Sequence, residues 1–140
     1  MKAFPFISQA HALLLLRVVT ALLFMAHAVV RIANGTIPNF ATYMQSVGFS
    51  QPTAVVWAIT LCELIAGTLI IAGYYVRWAS TSLFIIAATG IVLIHRHFGW
   101  FVGEHGTGGS EYSVALMIML IVVAATDREK TSEASASSAI

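Results

Sequence analysis

The sequence predicts an all-α integral membrane protein, a four-helix bundle with both termini on the cytoplasmic side. Composition is the first reason: 59% of the 140 residues are hydrophobic and only 9% are charged, against roughly 25% charged in ordinary soluble domains. The second is the gathering of apolar residues into four stretches, Ala12 to Ile32, Ala54 to Tyr75, Trp78 to Ile94 and Tyr112 to Thr126. A bilayer is crossed by about 17–25 helical residues. The first three stretches reach that length; the fourth is short unless Ser110 and Glu111 are partly inserted. The third reason is the placement of Lys and Arg. Four spans put both termini on one side, which then carries Lys2, Arg77, Arg128 and Lys130 against Arg31 and Arg96 on the other. Excess Lys and Arg in short flanks marks the cytoplasmic face. A net charge of +1 gives no electrostatic case for nucleic-acid binding.

Residues 1–126 are thus expected to form the membrane domain and 127–140 a disordered cytoplasmic tail rich in Ser, Ala and Glu. The expected location is a bacterial-type inner (plasma) membrane, crossed several times. Lys2, the first apolar run and Ala26-His27-Ala28 loosely imitate a signal peptide. A cleavable apolar region is about 7–15 residues and uncharged, whereas this run is longer and contains Arg17, so it reads as a retained helix.

Between the first two spans, Asn34-Gly35-Thr36 predicts a turn and Pro38 the first position of a short helix. Phe40, Met44 and Val47 share one face of it and Gly48 ends it, as in an amphipathic piece lying in the membrane interface. Gly73 to Trp78 reads as a tight turn with aromatic interface residues, making the second and third spans antiparallel neighbours. Gly103, Gly106, Gly108 and Gly109 loosen the last loop, but no Lys-Ser/Thr follows, so a phosphate-binding loop is unsupported. Ala58, Cys62 and Ala66 recur every four residues, a seam that lets another helix approach closely. Glu63 and Gly67 occupy the adjoining stripe.

The polar residues inside the spans carry the functional question. A charged side chain at the bilayer centre costs at least about 2.5 kcal/mol, so such a residue is a functional candidate by default. Glu63 lies deep in the second apolar stretch, and Arg17, His27 and Arg31 share one face of the first. Arg17 is expected to pair with Glu63 or to reach the cytoplasmic headgroups. Glu63 reads as a neutral hydrogen-bonded acid, an ion-pair partner or a proton-handling group. His27 is either a satisfied interior imidazole or a ligand of a site. His95 and His97 end the third span, and Glu104, His105 and Glu111 follow on the same side. His-x-His is a weak metal signal without further ligands, so no metal site is assigned; haem ligation by two of the histidines ranks below quinone binding. Cys62 is the only cysteine, which excludes a paired-cysteine thiol mechanism on this chain alone.

Several short pieces together resemble DoxX-like membrane proteins. They are Leu15-Leu16-Arg17-Val18 and Phe24-Met25-Ala26-His27-Ala28, then Glu63-Leu64-Ile65-Ala66-Gly67 running to Gly73 and Arg77, then Gly108-Gly109-Ser110-Glu111-Tyr112. The resemblance covers about residues 12 to 126. It departs at Ala28, where the family often has glycine, and at Arg31, where lysine is common. It implies a four-helix membrane fold and a link to respiratory-quinone or thiol and oxidative-stress systems, one branch being like the membrane subunit of a thiosulfate:quinone oxidoreductase.

Two functions of different class follow. In the first, the chain is a quinone-interacting redox subunit: Glu63 and His27 handle protons, His27, Arg17, His95 and Glu111 hold the ligand, and other redox subunits supply electrons. In the second it is a non-catalytic membrane anchor or accessory subunit of a respiratory or oxidative-stress complex, with Arg17 and Glu63 fixing helix register. The first reading predicts a cavity bordered by His27, Glu63, His95 and Glu111.

Overall fold

The computed structural model describes the backbone of residues 6–101 and 108–137, and side chains as far as Asp127. Among the described residues there are five α-helices, one short 3₁₀ turn and no strand. Helix α1 spans Gln9–Ala33; the Ser8 hydroxyl caps it by accepting from the His11 backbone N–H at 3.3 Å. Its interior holds neither Gly nor Pro, so nothing interrupts the ladder across the span. Gly35, with φ +62°, turns the chain into α2, Ile37–Ser46, where Pro38 sits at the start as expected. Ile37, Ala41 and Met44 are buried, and the helix packs on α3. Gly48, at φ +100°, follows its end.

Helix α3 (Pro52–Ala72) stops at Gly73, whose left-handed backbone (φ +87°) lets its N–H and that of Tyr74 bond the Leu69 carbonyl. Tyr75 is also left-handed (φ +51°), and α4 (Val76–Leu93) starts at the next residue. A 3₁₀ turn over His95–Phe98 follows, and α5 runs Glu111–Ser137. Helix α5 continues through Asp127 to Ser137. Its Ala, Glu, Lys and Arg are good helix formers and no Gly or Pro stops the helix.

Helices α1, α3 and α4 are each long and apolar enough to cross a membrane; the apolar part of α5 is the shorter run Tyr112 to Thr126. Helix α1 contacts α3 and α5, α3 contacts α4, and α4 contacts α5, so the four long helices form a closed ring. Phe24, Ile70, Leu83 and Leu120 fill its centre. The ring has a turn end, at Gly73, and an α2 end, where Met44, Val56 and their neighbours make a second cluster. Tyr74, Tyr75 and Trp78 stand exposed at the turn end. Of the small-residue seam, only Ala66 is buried; Cys62 is half-buried and Ala58 exposed. The close approach occurs instead on the neighbouring stripe, where Gly67 packs against Met25 and Ala21 of α1.

The expected Arg17–Glu63 pair is not formed. Arg17 Nε donates to the Ile70 carbonyl at 2.5 Å and Nη2 to the Ile71 carbonyl at 3.4 Å. A helical side chain leans toward its own N-terminus, so Arg17 reaches away from Glu63 and toward the turn end. There it meets the last carbonyls of α3, which lack intrahelical partners and carry the negative end of the helix dipole. Arg17→Ala is expected to cost about 1.5–3 kcal/mol, the range for hydrogen bonds to charged groups. Arg17→Lys should recover only part, because the ammonium lacks the planar fork. Unfolding in mixed micelles measures both.

Candidate functional site: a polar cluster in an apolar cavity

At the α2 end, three helices converge on one ion pair. Arg31, in the last turn of α1, donates from Nη1 to Glu63 Oε2 at 2.9 Å and to Thr60 Oγ1 at 2.7 Å. Thr60 in turn donates to the Val56 carbonyl at 2.7 Å, completing a chain along α3. Phe40 of α2 lies under the guanidinium, its ring centroid 5.2 Å from Arg31 Cζ, a cation–π distance. The Glu63 side chain is only 5% exposed and that of Arg31 14%. The backward lean that takes Arg17 away from Glu63 brings Arg31, one helix-end further on, down to it.

The pair forms part of the wall of a cavity of about 390 Å³, within the roughly 300–1,000 Å³ range of small-molecule sites. The rest of the wall is largely apolar, from Phe24, Met44, Leu93 and Leu116. His27 and His95 add imidazoles, and Tyr112 and Ser113 of α5 add hydroxyls. His27 and Tyr112 face each other across α1 and α5, ring centroids 6.3 Å apart and tilted by 54°. Among the described residues, His95 Nδ1 is buried without a hydrogen-bond partner. A neutral imidazole needs both a donor and an acceptor partner when buried, and His95 is a wall residue of the cavity. Tyr43 ties α2 across the same end by donating to the Leu93 carbonyl at 2.5 Å.

Burial lowers the pKa of His95 below the ordinary histidine value. Its folded form therefore resists a proton that the unfolded chain accepts, and stability falls as pH drops through and below the ordinary histidine range. His95→Gln should flatten that dependence between pH ~7 and ~5 in thermal unfolding.

Three of the four expected border residues, His27, Glu63 and His95, do line the cavity, and Glu111 does not. Glu111 is half-buried at the first position of α5, where an acid suits the helix dipole. The next residue, a third of a turn round, is the one that reaches the wall. Arg17 is also outside it, bordering a separate cleft at the turn end with Gln9 and Asp127. His97 is exposed and accepts from Arg96 Nε at 3.4 Å, so His95 is the histidine of this turn that enters the site. Glu104 and His105 lie outside the described residues. No group of three or more His, Cys, Asp or Glu side chains stands in metal-binding proximity among the described residues.

Thr60, Phe40 and Tyr112 were missed by sequence reasoning. Thr60 had a readable signal, since it lies one turn before Glu63 on the same helical face. Phe40 and Tyr112 had none, being ordinary as an amphipathic-face and an interface aromatic.

Compared with known proteins, the family model described as DoxX matches residues 12–96. That stretch carries His27, Arg31, Glu63 and His95 but none of α5. No curated protein matches the chain, and no solved structure does.

Proposed function

The chain belongs to the DoxX family and is a multi-pass membrane protein, and from that premise we propose that it is the membrane subunit of a redox system that binds a quinone ring in the cavity at the α2 end. The observation that supports this most is a carboxylate and two imidazoles brought to one otherwise apolar wall. Converting a quinone to a quinol takes two electrons and two protons. An acid and an imidazole within hydrogen-bond reach of the carbonyl oxygens can deliver the protons. In this reading Glu63 and His27 handle them, Arg31 holds the Glu63 carboxylate in place, and His95 Nδ1 meets the far side of the ring. Electrons come from a partner redox subunit.

All four long helices span a bacterial-type inner membrane, with both termini cytoplasmic and the α2 end outside. Ser50→Cys, in a Cys62→Ala background, should react with an impermeant thiol reagent from the outer side only. Labelling from the cytoplasmic side alone would reverse the orientation.

The rival reading is a non-catalytic accessory anchor. It draws support from the close pairing of Arg31 with Glu63 and Thr60, which satisfies the pair within the protein. Titration of the purified protein in nanodiscs with a tail-less dimethoxy-methyl-benzoquinone separates the two. Binding is expected, and His27→Leu combined with Glu63→Gln should weaken it at least about tenfold, the equivalent of losing one or more good hydrogen bonds. Unaltered protein that binds no quinone would leave the anchor reading, and a Soret band in the purified protein would point to haem instead.

A further inference from the structure

The cavity has a side door, and its position says what kind of molecule comes in. Leu16 and Leu23 of α1 and Met119 of α5 are half-buried against the core; at about 100° per residue Leu23 lies on the stripe of His27 and Met119 on that of Tyr112. His27 lines the cavity and is nonetheless exposed, and Tyr112, also in the wall, is 40% exposed. The two rings approach each other across the α1/α5 seam at 6.3 Å. At 1.5 Å rise per residue, His27 lies about 9 Å inside the end of α1 at Ala33, within one leaflet of the membrane and not above it. Val30, three residues on from His27 in α1, is more than half exposed and offers an apolar surface suited to acyl chains.

We propose that the ligand of this cavity is a membrane-dissolved amphiphile with an apolar tail, which enters sideways from the leaflet at the α2 end between α1 and α5, through a gap gated by His27 and Tyr112. This rests on the quinone-site reading and deepens it: the polar ring lies inside, at Glu63 and His95, and the tail stays in the seam against Leu23 and Met119. Such a ligand arrives through the bilayer, not from water. Tyr112 is the gate because it is the larger ring and touches the seam without taking part in the Arg31–Glu63 cluster.

The test uses the same benzoquinone ring carrying a decyl tail, with the full-length protein in liposomes. A diazirine at the end of that tail should label α1 and α5 near Leu23 and Met119 in the unaltered protein. Tyr112→Ala should speed association and release together by about tenfold, since opening a gate changes both rates alike. Labels confined to α3 and α4, or a Tyr112→Ala variant whose Kd rises while association stays unchanged, would overturn the side door. If the tail-less ring still binds in that case, the quinone site itself stands. If neither ring binds the unaltered protein, the site reading falls and takes the door with it.

Discussion

Arg31→Ala is expected to destabilise the folded protein by about 3–5 kcal/mol, the loss that follows when one partner of a buried ion pair is removed. Glu63, 5% exposed, then loses the guanidinium that pairs with it. Glu63→Ala should do less damage, because Arg31 sits in the last turn of α1 and its long side chain can extend to the headgroups. The double variant is expected to lose clearly less than the sum of the single losses, since neither charge is stranded. A double-mutant cycle in mixed micelles reads this directly, with a coupling of about 0.5–3 kcal/mol for residues in contact. Arg17→Ala with Glu63→Ala is the matching control, and it should be additive because Arg17 bonds the carbonyls of Ile70 and Ile71 instead. Additivity in the Arg31 cycle would mean that the pair does not exist in the membrane.

Gly67→Leu is expected to force α1 and α3 apart. A Cβ at that position meets the Met25 side chain and lies 3.3 Å from the Ala21 carbonyl oxygen. The methionine can move, but the carbonyl belongs to the α1 backbone and moves only with the helix. Gly67→Ala should therefore be tolerated with a shift of Met25, while the leucine should cost about 1–3 kcal/mol, the usual range for an overfilled interior. The helices that Gly67 brings together are the ones Arg31 and Glu63 bridge. Gly67→Leu should thus also shrink the coupling measured between that pair, a result that simple loss of packing elsewhere would not give. A leucine variant with unchanged stability and coupling would show that α1 and α3 do not approach this closely.

The helices were legible, three of them long and apolar enough to cross a membrane, because apolar content and chain breakers act locally. Pro52 and Gly73 bound α3, and Pro38 sits in the first turn of α2 with Gly48 just past its end, much as their backbone restrictions require. That Arg17, His27 and Arg31 share a face of α1 was legible from periodicity alone. Which of them meets Glu63 was not, because pairing depends on the register between two helices far apart in sequence and on the direction in which side chains lean. The same limit separates Glu111 from Tyr112: one residue of rotation decides which of the two faces the cavity, and the sequence does not record the rotation of α5. His95 could not be preferred to His97 without knowing that the chain passes into a 3₁₀ turn there.

The turn at Gly73 to Tyr75 bears on how the protein is made. With both residues left-handed, the chain reverses between Ala72 and Val76, so α3 and α4 are expected to enter the bilayer together as a hairpin. Glu63 travels in with it. By then α1 has already been synthesised and carries Arg31 at the matching depth, so the acid meets its counter-charge as it enters the hydrocarbon. The order of the helices along the chain is thus also the order in which the buried charge is neutralised, and a circular permutant that delivers α3 and α4 before α1 should be inserted poorly even though every contact of the finished fold is available to it.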